Sequence, residues 1–288
     1  MHISSDQRSI LEPIQQQLAH LRVETASNHQ IKIAVAGDDI EIPRVLKDGY
    51  VSEDFIAHID FYSGAVIIRS VASNRTLALV RSPKFAYDRP DRLRILLQSV
   101  SGGAVQALHG GGISWGDSPG ILISAKGGSG KSTAVAAAVH DGARTIGDDF
   151  LMGNLDPSPG KVRCWSMFSS VRLEASSPAR SLFGASEFPE LDGKEVFNLS
   201  REFPGSVVTD MEIGMLVVPS FFSMNFVTPL TGKEALLAVI PSSVGLSLDK
   251  EAAFRSIGKI VSALPAFRVG LTPDIKMNNE FLKQLVAL

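Results

Sequence analysis

The chain has a single cysteine, Cys164, among 288 residues, so no intramolecular disulfide can staple it and a cystine-rich fold is excluded. Cys164 lies in a strand-like run and reads as a small core residue rather than a nucleophile. Charge of one sign is lacking too: the net charge is −2, which gives no general basic field for nucleic acid or an anionic membrane. The apolar runs, such as residues 215–218 and 236–240, are far too short to span a bilayer. The start MHISSDQRS lacks the basic-then-apolar layout of a secretory signal. A cytoplasmic location is the resulting expectation, with neither nucleic acid nor membrane as a partner. No internal repeat or low-complexity tract is visible, and the six histidines are scattered.

What is present is a residue content 44% hydrophobic, enough for a substantial core in one large domain or two modest ones. The chemistry concentrates in residues 121–149, ILISAKGGSGKSTAVAAAVHDGARTIGDD. The run 125–132, AKGGSGKS, fits the phosphate-cradling pattern G-x-x-x-x-G-K-[ST] except at its first position, where Ala125 stands for glycine. A polyphosphate needs several backbone N–H donors pointing inward, and side chains would block them. Gly127, Gly128 and Gly130 remove that block, with Ser129 between them. The alanine-rich segment from Lys131 predicts a helix whose positive N-terminal end faces the phosphates. Lys131 then reaches the β- and γ-phosphates, Ser132 offers its hydroxyl to Mg2+, and Thr133 completes the nucleotide-binding set.

Seventeen residues past Lys131 a short strand, 143–147, ends in Asp148-Asp149. An acid at the carboxyl end of a strand beside a phosphate loop suits a metal, and a second carboxylate beside it allows one to bind Mg2+ while the other takes a proton.

Elsewhere, residues 10–21 show a helical stripe, and runs within 31–81 read as short strands of a small antiparallel sheet. Residues 89–108 read as a helix loosened at Gly102-Gly103, followed by His109 and a glycine run whose hairpin returns His109 toward the loop. Residues 162–165, 169–173, 213–218 and 236–240 read as strands, 181–198 as a loop-rich insertion, and 246–264 and 277–288 as amphipathic helices flanking a short strand at 267–269. Arg172 faces outward, either binding a phosphate or acidic substrate or serving as a solvated strand residue. The organisation expected is an N-terminal helix plus β-rich lobe over 1–100 and a P-loop core over 101–288.

His109-Gly, the loop 125–132 and Asp148-Asp149, in that order and spacing, resemble the HPr serine kinase/phosphorylase family and its related proteins, whose core is similar to that of phosphoenolpyruvate carboxykinase. The resemblance is clearest over 108–150, with a weaker likeness in LPAFR and TPD near the end. It implies an α/β P-loop fold of the carboxykinase/HPr-kinase-like kind with a small β-rich N-terminal lobe, and an ATP- and Mg2+-dependent kinase acting on a serine. It also implies that His109 lies near the reacting phosphate, and that Asp148 is the base and Asp149 the metal ligand, the two roles being exchangeable. The family's downstream Glu-[IV]-Arg-Gly motif is absent, with Val171-Arg172-Leu173-Glu174 only loosely in its place. The expected acceptor is a serine on a protein or peptide, a ribosomal peptide precursor or a small hydroxy compound being further options. The rival of another class is a nucleotide-binding regulatory module without transfer. A homo-oligomer is compatible with either.

Overall fold

The computed structural model describes residues 2–5, 11–12, 14–15, 18, 30–35, 50–51, 55–60, 65–70, 75–80, 105–155, 161–186, 193–247 and 250–286. The chain divides into two compact units, Met1–Ala104 and Val105–Leu288.

In the first unit, β1 (His2–Ser5), β2 (Gln30–Val35), β3 (Tyr50–Val51), β4 (Phe55–Asp60), β5 (Ala65–Ser70) and β6 (Arg75–Val80) form one sheet in the order β1-β2-β6-β5-β4-β3. The expected antiparallel sheet is in fact mixed, because β1 and β6 both run parallel to β2. Parallel neighbours cannot be joined by a tight hairpin turn, and β1 and β2 are well separated in sequence. Leu11, Glu12, Ile14, Gln15 and Leu18 are helical, with Ile14 and Leu18 buried and Glu12 and Gln15 exposed, as the stripe requires. Most of the expected helix at 89–108 lies outside the described residues. Its described end is instead a strand.

That strand, β7 (Gln106–His109), opens the second unit. It is followed by β8 (Gly111–Ser114), β9 (Gly120–Ile123), α1 (Lys131–His140), β10 (Arg144–Gly147), β11 (Phe150–Leu155), β12 (Val162–Ser166) and β13 (Ser170–Glu174). Then come β14 (Lys194–Asn198), α2 (Leu199–Glu202), β15 (Asp210–Phe221), β16 (Phe226–Pro229), α3 (Gly232–Ser243), α4 (Lys250–Ser262), β17 (Ala266–Leu271) and α5 (Ile275–Val286). The main sheet runs β10-β8-β9-β15-β12-β11-β7, with β17 beside β15 and β16 beside β17, while β13 and β14 form a separate ribbon. The fold is thus mixed α/β around a multistranded sheet. Among the described residues no helix is long and apolar enough to cross a membrane.

Alternation along β9 divides the core. Ile121 and Ile123 pack with α1, α5 and the β13–β14 ribbon, whereas Leu122 packs with α3 and α4 on the other face. The central helix α1 is almost wholly buried, which explains its alanine content: small side chains let it sit between layers. Cys164 is fully buried in the Leu122 layer, and burial pushes its thiol up to about 12, which makes it inert.

Two further sequence expectations need correction. Residues 236–240 are not a strand but the middle of α3, which starts at a capping box: Thr231 accepts from the Glu234 N–H while Glu234 accepts from the Thr231 N–H. The insertion at 181–198 is less irregular than expected, since it ends in β14, which pairs with β13 from Ser170↔Asn198 to Glu174↔Lys194.

Candidate functional site

A single residue, Gly110, separates β7 from β8, and only Asp148-Asp149 separates β10 from β11, yet each pair occupies opposite ends of the sheet order. One or two residues cannot bridge a flat sheet. The sheet therefore bends until its ends meet, and the seam is where the acid pair sits. Gly110 N–H donates to the Asp149 carbonyl at 3.1 Å, and β7 pairs with β11 at His109↔Phe150. The β8–β9 hairpin carries His109 toward the glycine loop, where the Ser124 hydroxyl donates to the His109 carbonyl at 2.7 Å.

The backbone at the seam is strained. Phe150 N–H donates to the Asp148 carbonyl at 2.9 Å, closing a three-residue turn with Asp149 at its centre and φ at 68°. A side-chain-bearing residue at positive φ in so tight a turn costs roughly 1–3 kcal/mol and persists only where its surroundings fix it. Gly147, just upstream, has φ of 103°, and a Cβ there would run into the Phe168 carbonyl oxygen. Only glycine lets the strand end so close to its neighbour.

The two acids face opposite surroundings. Asp149 has both oxygens engaged: Oδ1 lies 3.4 Å from His109 Nε2, and Oδ2 accepts from the Arg172 guanidinium, which lies over the Phe150 ring. Burial works against its ionisation, but the His109 hydrogen bond and the Arg172 charge prevail and hold its carboxyl well below the usual carboxylate range. Asp148 is buried with neither oxygen hydrogen-bonded in proper geometry among the described residues. Burial and the adjacent Asp149 charge push it up to about 6, against the opposing pull of the Ser132 hydroxyl, Lys131 and Arg172.

The glycine loop joins β9 to α1 on the same sheet edge. Its apex is open: nothing lies within 4 Å of where a Cβ would stand on Gly127 or Gly128. Gly130 is the helix N-cap at φ 91°, with no side-chain cap, so the first N–H groups of α1 are unspent. Ser129 Oγ is buried without a partner among the described residues. Lys131 is buried and folds back, donating to the Ala125 and Lys126 carbonyls at 2.9 and 3.1 Å. Its burial lowers its pKa, while Asp148 and Asp149 oppose the shift. Thr133 Oγ1 lies 2.9 Å from Ser177 Oγ, which ties the start of α1 to the turn after β13.

His109, Asp149 and Arg172 are thus in contact, and Lys131, Ser132 and Asp148 form a second group beside them. Arg172, read as solvated or substrate-binding, is committed to Asp149. Among the described residues no three His, Cys, Asp or Glu side chains converge on a common metal position. One residue escaped the sequence reading: Phe221, at the end of β15, whose ring lies against Gly130. The signal available is the Phe221-Phe222 pair directly after an apolar strand.

No protein-family model matches the chain, and no curated protein matches it by sequence. Among solved structures, the Hpr(Ser) kinase/phosphatase from Coxiella burnetii is similar over 63% of this chain and 94% of its own, with 10% identity and a TM-score of 0.37.

Proposed function

We propose that the protein is an ATP-dependent kinase that transfers the γ-phosphoryl group to a serine hydroxyl of a protein or peptide, with Mg2+. The observation that carries this reading is Asp148. A buried carboxylate with unpartnered oxygens is costly for the fold alone, and at a pKa of about 6 it suits proton abstraction near neutral pH. The loop beside it fits a triphosphate through its open glycine apex, uncapped helix N-terminus and buried lysine.

In this mechanism the loop N–H groups and Lys131 hold the phosphates, with Lys131 exchanging its two carbonyl acceptors for phosphate oxygens. Asp148 takes the proton of the attacking serine as the new O–P bond forms and the bond to the ADP oxygen breaks. Ser132 and Asp149 are the residues that would hold the metal, Asp149 by releasing Arg172, which is then placed to meet a phosphate oxygen. When bound, Mg2+ supplies neutralisation of the charge on the transferring group. His109 keeps Asp149 oriented.

The test is incubation of the protein with γ-labelled ATP, Mg2+ and a cell extract, beside Lys131→Ala and Asp148→Asn. Label on a discrete protein or peptide, reduced at least ~10²-fold in Asp148→Asn, is the expected result. The clamp of Arg172 and His109 on Asp149 favours a second reading, a nucleotide-binding module held inactive. ATP binding without movement of label would support it over the kinase.

A further inference from the structure

The carboxyl end of β15 carries an aromatic surface that neither the core nor the acid pair uses. Phe221, Phe222 and Met224 are 53%, 50% and 66% exposed. Strands β9, β15 and β17 are mutually parallel, so their carboxyl ends share one edge with the glycine loop. Val217 pairs with Ile123, the last residue of β9, and β15 continues four residues further. At about 3.3 Å per residue, β15 overshoots by about 13 Å and flanks the loop. A Cβ on Gly130 would stand 3.0 Å from Phe221 Cζ.

The sheet order decides which side of the loop this surface occupies. At this edge the order is β10-β8-β9-β15-β17, so Asp148-Asp149 at the end of β10 lie to one side of the loop strand and Phe221 to the other. A nucleoside triphosphate with its terminal phosphate toward the acids and its chain along the loop directs its base to the Phe221 side. No charged residue occurs between Glu212 and Lys233, so the stretch that carries Phe221 offers a neutral heterocycle an uncharged aromatic face. Phe222 is held edge-on by Phe226 at 4.7 Å, while no other ring among the described residues covers Phe221.

We propose that the exposed ring of Phe221, set against Gly130 on the side of the loop away from the acid pair, is the stacking platform for the nucleobase. The inference rests on the nucleotide-binding reading and adds the base subsite to it. Stacking of a base on an aromatic side chain is sequence-tolerant and contributes at the scale of roughly tenfold or more in affinity.

The experiment compares Mg2+-ATP with Mg2+-tripolyphosphate by calorimetric titration of the full chain. The unaltered protein is expected to bind ATP at least ~10-fold more tightly than tripolyphosphate, and Phe221→Ala to lose most of that gain while keeping its tripolyphosphate affinity. In Phe221→Trp, emission of the new indole should be quenched by ATP and not by tripolyphosphate. Equal weakening of both ligands by Phe221→Ala, or unchanged ATP affinity, would overturn the stacking assignment and leave the phosphate loop standing. Failure of the unaltered protein to bind either ligand would overturn both readings.

Discussion

Asp148 and Asp149 are adjacent in sequence and respond to pH in opposite senses. Asp148 rises from 3.8 to about 6, so the unfolded chain gives up this proton before the folded protein does. Stability from this group is therefore lost as pH rises from 3.8 to about 6, and above that the ionised carboxylate costs the fold about 3 kcal/mol. Replacing it by Asn removes that cost. Asp148→Asn is expected to raise stability at pH 7.5 by up to about 3 kcal/mol, read from urea midpoints, with the gain vanishing near pH 4. The same variant should lose phosphoryl transfer. A destabilised variant would show that the carboxylate is structurally satisfied. In the unaltered protein, transfer should fall about tenfold per pH unit below pH 6 and be level above it, because only the ionised form accepts a proton. Asp149 behaves conversely: its lowered pKa stabilises the fold above the ordinary carboxylate value, and that contribution disappears on acidification.

At the scale of elements, the glycines sort into two kinds. Gly147 is structural, because its φ of 103° and the Phe168 carbonyl leave no room for a Cβ. Gly147→Ala is expected to cost roughly 3 kcal/mol or more in thermal or urea unfolding and to displace the acid pair. Gly127 stands in open space, so Gly127→Ala should change stability by no more than about 0.5 kcal/mol while weakening ATP binding. Equal stability losses in the two variants would contradict this division. The strand, glycine loop and helix at 121–140 were legible because three signals agree there: a short apolar run, glycine punctuation directly after it and an alanine-rich run. Residues 236–240 misled because LLAVI is apolar throughout and carries no period, while the T-x-x-E signature at Thr231 and Glu234 marked the helix start. The partners of Asp149 were hidden for another reason. His109, Arg172 and Asp149 meet only because the sheet bends until its ends join, and no local pattern records that closure.

For the molecule as a whole, every residue invoked in binding or transfer, from His109 to Phe221, lies in the Val105–Leu288 unit. That unit holds its own two-layered core on either side of β9, and α1 is fastened within it by Asn279 Nδ2 donating to the Ala137 carbonyl at 2.8 Å and by Lys283 paired to Asp141 at 2.6 Å. A unit with its own core and all the phosphate-binding groups should fold and bind nucleotide without residues 1–104. A fragment of residues 105–288 is therefore expected to unfold cooperatively and to bind Mg2+-ATP within about threefold of the full chain. Circular dichroism and calorimetric titration check both points. Cooperative folding with ATP affinity lost by tenfold or more would overturn the expectation that this unit binds nucleotide by itself. Retained ATP binding with transfer to the acceptor lost would instead assign acceptor recognition to the first unit, separating the phosphate chemistry from the choice of substrate.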